Sequence, residues 1–329
     1  MRHILVIFIN IDVGRNERIY MINLLLTYIV NVIIMLLLLP ILLPIIHWIH
    51  LLPLAEAVQL LYLRNEQDLC FLFAGVAPLV VGLLYITPPM QFIFRLVSRL
   101  SKPTDAEYAR LDRIVSVLCG ESGLPRNRFQ LHVQHIDAPN AFALGSKHIA
   151  VTKGGLAAFN DEELAGILAH EMGHIVHRDT VYLLMMSGMN LVGDTMVNLT
   201  ALFHNLLNIF RIIPFLNFIV MIFQFSLRVY LIIIRFILRA PQTLLFFFNA
   251  RRDEYAADRY ACEIGFGHGL RQGLTKIGYT EGVVGTVYTD GSVSAEGARY
   301  SEGGFFARLY STHPGILKRI QHITDYLER

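Results

Sequence analysis

The stretch Leu168–Thr180, LAHEMGHIVHRDT, sets two histidines on either side of a glutamate at the spacing of one helical turn. On a helix, residues four apart stack on one face. His170 and His174 can therefore aim both imidazoles at one metal ion while Glu171 projects beside them. Such an HExxH pattern suits a zinc hydrolase, in which the glutamate acts as general base toward a water whose pKa the metal has lowered. What precedes the motif decides whether it is helical. Asn160-Asp161-Glu162-Glu163 is an N-cap with glutamate three residues on, and acid fills the first turn, where the helix dipole favours it. Leu164, Ile167, Leu168 and Ile175 supply apolar positions, and the frequent Ala and Gly predict a half-buried helix of a soluble domain.

A catalytic zinc takes three protein ligands and leaves one position open. A histidine six residues after the second would complete a metzincin pattern, but Thr180 stands there, so the third ligand comes from elsewhere. Glu254, in Arg251–Asp258 (RRDEYAAD), is the best candidate on a predicted helix. Asp258, one turn later, can accept a hydrogen bond from a ligating histidine and hold its tautomer. His177, seven residues after His170 and on nearly the same face, is a rival ligand whose side chain emerges a turn too far along.

The 329 residues are 54% hydrophobic and only 16% charged, with mean hydropathy +0.49. Soluble domains carry about 25% charged residues, so this is the composition of a membrane protein with a substantial soluble part. Net charge is +2 and the basic residues are dispersed, which argues against nucleic acid as a partner. Cys70, Cys119 and Cys262 show no CxxC pairing and read as small buried thiols, compatible with a reducing compartment.

Five segments follow from charge and hydropathy. Residues 1–20 hold one short apolar run, Ile4–Ile9, and no cleavage site, so they are a strand-like tail or an upstream extension. Residues 21–100 read as an N-terminal transmembrane hairpin, with spans at Ile22–Ile46, ending near Pro40 and Pro44, and at Leu69–Thr87. Arg2, Arg15 and Arg18 before it and Arg95, Arg99 and Lys102 after it place both ends in the cytoplasm.

Residues 101–180 form the first part of the soluble domain: a helix opened by the capping box Thr104–Glu107, strands at Phe129–His135, Ala141–Leu144 and His148–Thr152, then the motif helix. Residues 181–240 are predicted as a second membrane hairpin, with a span at Ile212–Ile234. Val181–Phe203, interrupted by Asn190, Asp194 and Asn198, is either a span with a protein-lined face for Asp194 or a helix lying against the soluble domain. Residues 241–329 complete the soluble domain with Glu254, a mobile loop at Thr280–Gly304 and a helix at Pro314–Leu327. The fold class is mainly α with a small β-sheet and transmembrane helices.

Four blocks in order, Pro139–Gly145 (PNAFALG), His170–His174 followed by Asp179, Glu254–Asp258 (EYAAD) and Ser311–Pro314 (STHP), give the chain its likeness to a known family. From about Arg113 onward it resembles the HtpX-type membrane zinc metallopeptidases and their relatives, the CaaX prenyl proteases. The resemblance implies a gluzincin-like metallopeptidase domain with one zinc per chain at His170, His174 and Glu254, and Glu171 as general base. Asn140 and Ala141 would belong to an edge strand that pairs with an extended peptide, and His313 would donate to the oxyanion of the tetrahedral intermediate. Implied substrates are polypeptides, above all unfolded or misassembled membrane proteins removed in quality control. The implied location is the inner or plasma membrane, multi-pass, with the site facing the cytoplasm. Two other functions stay open: processing of lipidated C-termini, which wants a larger membrane chamber, and a zinc-binding scaffold or sensor without hydrolysis.

Overall fold

A computed structural model describes residues 15–48, 66–280, 286–287, 293–294 and 315–328. Along the chain come α1 (Arg15–Trp48), α2 (Glu66–Tyr85), α3 (Pro88–Val97), β1 (Leu100–Ser101) and α4 (Asp105–Ser122). Then follow β2 (Gln130–Gln134), β3 (Ala141–Leu144), β4 (His148–Thr152), the short α5 (Lys153–Ala158) and the motif helix α6 (Asp161–Val176). The second half comprises α7 (Asp179–Leu206), α8 (Pro214–Ile233), a π-helical stretch at Ile234–Arg239, α9 (Ala240–Glu263), α10 (Gly267–Thr280), the strand pair β5 (Thr286–Val287) and β6 (Val293–Ser294), and α11 (Ile316–Leu327). The chain is thus mainly helical with a small sheet, and it divides into two compact units, Met1–Tyr85 with Met185–Leu245, and Ile86–Leu184 with Phe246–Arg329.

In the second unit, the sheet unit, the four strands run in the order β1-β2-β4-β3, with β2 and β4 parallel and the other pairs antiparallel. Leu131, Val133, Ile149 and Val151 face one side, where they form a core with Leu111, Val115 and Leu118 of α4 and Leu164, Leu168 and Met172 of α6. Among the described strands β3 is at the edge, paired with β4. Both capping boxes form: Thr104 caps α4 with Glu107, and Asn160 caps α6 with Glu163. Cys119 and Cys262 are free and buried.

α6 is buried along almost its whole length from Glu163 to Ile175, not half-buried as its composition suggests. The cause lies in its small residues. A Cβ on Gly166 would lie 2.0 Å from the Leu270 amide nitrogen, and one on Gly173 would lie 3.1 Å from Ala257 Cα. Backbones of α10 and α9 therefore come to rest directly on α6, and no polar face remains for solvent.

In the first unit, the helical unit, α1 continues through Pro40 and Pro44, and begins at Arg15, inside the stretch read as a tail. Val30, Ile34 and Leu38 of α1 pack with Val197, Leu231 and Ile234, while Met35 and Leu39 pack with Ala74 and Val192. Among the described residues, Arg18–Leu39 and Pro214–Arg239 are long and apolar enough to cross a membrane. Phe71–Tyr85 meets that standard only when joined to Pro88–Val97 as a broken span. α7 is one 28-residue helix that does not meet it, because polar residues dilute its hydropathy. Asp194 of α7 lies 3.0 Å from the Arg239 guanidinium, which also donates to Asn190 and Asn31. Gly193 makes room for that cluster, since a Cβ there would lie 2.3 Å from both Arg239 Nη2 and Asn31 Oδ1.

Candidate metal centre

The HExxH residues occupy the last two turns of α6, and Glu254 lies in the second half of α9 within the same unit. His170 Nε2 and His174 Nε2 are 3.2 Å apart. Glu254 brings Oε2 to 3.6 Å from His170 Nε2 and Oε1 to 3.7 Å from His174 Nε2. Ligand bonds of about 2.0–2.2 Å at tetrahedral angles separate donor pairs by roughly 3.3–3.6 Å. The three donors thus outline one face of a tetrahedron. They are the one group of this kind among the described residues, and His177 is not part of it.

Each imidazole is held from behind. His170 Nδ1 lies 2.9 Å from Asp258 Oδ1, and His174 Nδ1 lies 2.9 Å from Asp179 Oδ2. A carboxylate on Nδ1 keeps the proton there and leaves the Nε2 lone pair free for a metal. Burial alone would depress the His174 imidazole, but the Asp179 hydrogen bond with the Glu171 and Glu254 carboxylates reverses this and pushes it up to about 9. The site therefore stabilises positive charge at His174, whether it arrives as a proton or as a metal.

Arg319 closes the centre from α11. Its guanidinium grips both Asp258 oxygens at 2.6 and 2.9 Å and reaches Glu254 Oε2 at 2.8 Å. Asp258 is fully buried, which by itself would raise its pKa; Arg319 and His170 outweigh burial and hold the carboxyl below the usual range. Four carboxyl groups, those of Glu171, Glu254, Asp258 and Asp179, thus surround one guanidinium and two imidazoles. That donor chemistry fits a dication.

Glu171 is 9% exposed, and burial pushes its carboxyl up, against the pull of His170 and His174. It also accepts a hydrogen bond from the Ala143 backbone of β3. The Ala143 amide is consequently turned away from β4, and alternation along an antiparallel strand turns Ala141 outward as well. Asn140 faces the other way: its carbonyl accepts from the Thr152 amide at 3.0 Å and its amide donates to Thr152 Oγ1 at 2.9 Å. Of the two edge residues singled out in the sequence, Ala141 has the outward backbone.

His177 ends α6, with its ring edge-on to Tyr260 at 5.9 Å between centroids. His313 lies outside the described residues. Two residues of the centre carried no role in the sequence reading, Asp179 and Arg319. Arg319 had left a signal: with Ile316, Ile320, Ile323 and Leu327 it falls on the apolar stripe of α11, where an arginine needs a buried anionic partner.

The chain is similar to known proteins along much of its length. The chain is 34% identical over 111 residues to the "Protease HtpX homolog" of Thermoplasma acidophilum, covering 32% of this chain and 31% of that protein. It is 31% identical over 228 residues to the "Protease HtpX homolog" of Pyrococcus furiosus, covering 67% of this chain and 74% of that one. The matched stretch thus spans about a third of the first of these relatives and about three quarters of the second. The crystal structure of S. mikatae Ste24p is similar with a TM-score of 0.44 and 19% identity, over 74% of this chain and 56% of that one. The family described as Peptidase family M48 matches residues 105–327, which take in every residue of the donor triangle and every side chain that supports it. With more than half of its length under that match, the chain belongs to peptidase family M48.

Proposed function

We propose that this chain is a membrane-anchored, zinc-dependent endopeptidase acting on polypeptides, membrane proteins among them. One observation carries it: a buried His-His-Glu donor triangle adjoins a buried glutamate that is itself hydrogen-bonded to the outward side of an edge strand. His170, His174 and Glu254 would hold one zinc per chain. When bound, the metal supplies Lewis-acid polarisation of a carbonyl and lowers the pKa of a neighbouring water.

The remaining chemistry belongs to the protein. An extended substrate adds to β3 as a further strand, pairing with Ala141 beside Asn140, and so brings its scissile bond to the C-terminal turns of α6. Glu171, whose burial raises its proton affinity, takes a proton from water and returns it to the leaving amine. Asp258 and Asp179 fix the two imidazoles in the ligating tautomer, and Arg319 holds the Asp258 carboxyl below its usual range while its guanidinium contacts Glu254 Oε2. His313 supplies a donor to the developing oxyanion. Residues 101–180 and 241–329 make up the peptidase domain, 21–100 and 181–240 supply the membrane segments, and the basic flanks orient the site toward the cytoplasm.

Glu171→Gln tests this directly, because glutamine keeps the shape and loses the base. Proteolysis of an unfolded substrate in detergent with added zinc is expected to drop by about 10²–10⁴-fold, with metal content unchanged. Hydrolysis at the wild-type rate would refute the mechanism, and equal activity in the absence of zinc would remove the metal from it.

A further inference from the structure

α3 is amphipathic with the wrong face outward for a helix bathed in water. Phe92, Ile93, Leu96 and Val97 form one stripe and are 51%, 46%, 60% and 75% exposed. On the opposite stripe Gln91 is buried and Arg95 half-buried. Gln91 donates to the Ile86 carbonyl at 2.9 Å and lies on the turn between β3 and β4, where a Cβ on Gly145 would meet its Oε1 at 2.8 Å. Burial depresses the His132 and His148 imidazoles on the sheet, and the nearby Arg95 charge adds to the depression of both. The polar side of α3 is therefore taken up by the sheet unit, and its apolar side is left for something else.

Three observations identify that something as lipid. α3 follows the apolar helix α2 after only Ile86 and Thr87, with Pro88 and Pro89 starting a new helix. Its ten residues extend about 15 Å, half of a hydrocarbon core of about 30 Å, so it is too short to cross one. Charge is one-sided: between Ile86 and Thr104 stand Arg95, Arg99 and Lys102 and no acidic residue. Arg99 and Lys102 are exposed, and the Arg95 guanidinium carbon lies 5.4 Å from the Phe92 ring centroid, bridging the two faces. An apolar stripe bordered by cations suits the boundary between acyl chains and anionic headgroups.

We propose that α3 lies in the plane of the bilayer interface, with Phe92, Ile93, Leu96 and Val97 among the upper acyl chains and Arg99 and Lys102 at the headgroups. Through Gln91 and the Gly145 turn, this helix holds the β3–β4 hairpin at the membrane surface. The edge strand then sits where a polypeptide leaves the bilayer. The inference concerns where α3 lies and needs no catalysis, so it can fail while the peptidase function stands, and the reverse.

The test uses the full chain in liposomes of phosphatidylcholine and phosphatidylglycerol. Cys70, Cys119 and Cys262 are replaced by alanine and single spin labels are placed at positions 92, 93, 96, 97 and 102. Labels at 92, 93, 96 and 97 are expected to collide with oxygen several-fold more, relative to a water-soluble nickel chelate, than the label at 102, and all four to lie at one shallow depth. Depth increasing steadily from 92 to 97 would make α3 the second half of a span. Ready collision of all four with nickel would place them in water, and exclusion of both agents would put protein over them. Each of these three overturns the proposal. Leu96→Trp in the chain with its cysteines intact gives an independent check. Lipids brominated near the headgroup should quench the added fluorescence more than lipids brominated near the chain ends, and the opposite order refutes interfacial placement.

Discussion

Replacing Arg319 by methionine is expected to destabilise the sheet unit by about 3–5 kcal/mol at neutral pH. Methionine keeps an apolar stem on α11 but removes the cation that contacts Asp258 at 2.6 and 2.9 Å and Glu254 at 2.8 Å. At an effective dielectric near 20, a charge pair about 4 Å apart is worth roughly 4 kcal/mol, and two such pairs are lost. Protonation limits the damage, because neutralising an ordinary carboxylate of pKa about 4 at pH 7 costs roughly 4 kcal/mol. The sign of the pH effect follows. In the wild type Asp258 is held below its ordinary value, so its contribution is present above the unfolded pKa and is lost as pH falls through the lower folded value. Without Arg319 burial raises it instead, so the variant recovers ground relative to wild type as pH falls from 7 toward 5.

Thermal unfolding of the detergent-solubilised chain, followed by near-ultraviolet circular dichroism at pH 7.5 and 5.5, reads this out. The double variant Arg319→Met with Asp258→Asn should be more stable than Arg319→Met alone, since it no longer buries an unpaired charge. A single variant within about 1 kcal/mol of wild type at both pH values would refute the account of Arg319 as the counter-ion of the centre.

Gly166→Ala should push α10 off α6, because its Cβ would lie 2.0 Å from the Leu270 nitrogen; a loss of roughly 1–3 kcal/mol or more is expected, and an unchanged melting temperature would contradict that close approach. His132 and His148, buried and 3.0 Å apart, are both depressed by burial, His148 to about 4. The unfolded chain binds protons there from about pH 6.5, so stability is complete above that value and falls by about 1–2 kcal/mol, after allowance for screening, as pH drops toward 4. His148→Gln should flatten that slope, and a slope identical to wild type would exonerate the pair. Asp179→Asn should weaken zinc binding by about 10–100-fold. It should also end, at a lower pH, the rise of affinity expected of wild type up to about pH 9 as His174 loses its proton; chelator competition across pH measures both, and an unaltered profile would separate Asp179 from the metal.

Much of the centre was legible because it rests on local rules. Capping boxes at Asn160 and Thr104 depend on residues three apart and form as the spacing predicts. The two histidines depend on one turn of one helix, and the alternation of Phe129–His135 (FQLHVQH) needs only a strand. Glu254 required a different inference, a count of ligands, and it lies where that count needs it. Contacts between distant segments left weaker traces. Composition misjudged the burial of α6 because Gly166 and Gly173 look like poor helix formers, when they are points where other backbones arrive. Asp194 called for a protein-lined face or a helix against the soluble domain without naming a partner, and Arg239 of another helix is that partner. Arg319 needed a partner identified before its place on an apolar stripe could mean anything.

The centre draws His170 and Arg319 together across 149 residues. During translation at about 5–20 residues per second, that separation amounts to roughly 7–30 s in which a growing chain already carries HExxH but not yet Arg319. The helix α9 that brings Glu254 and Asp258 is made in that interval, and the guanidinium reaches them only once α11 emerges. The order of synthesis alone therefore delays completion of the site until the helices α7 and α8 between its halves have been made.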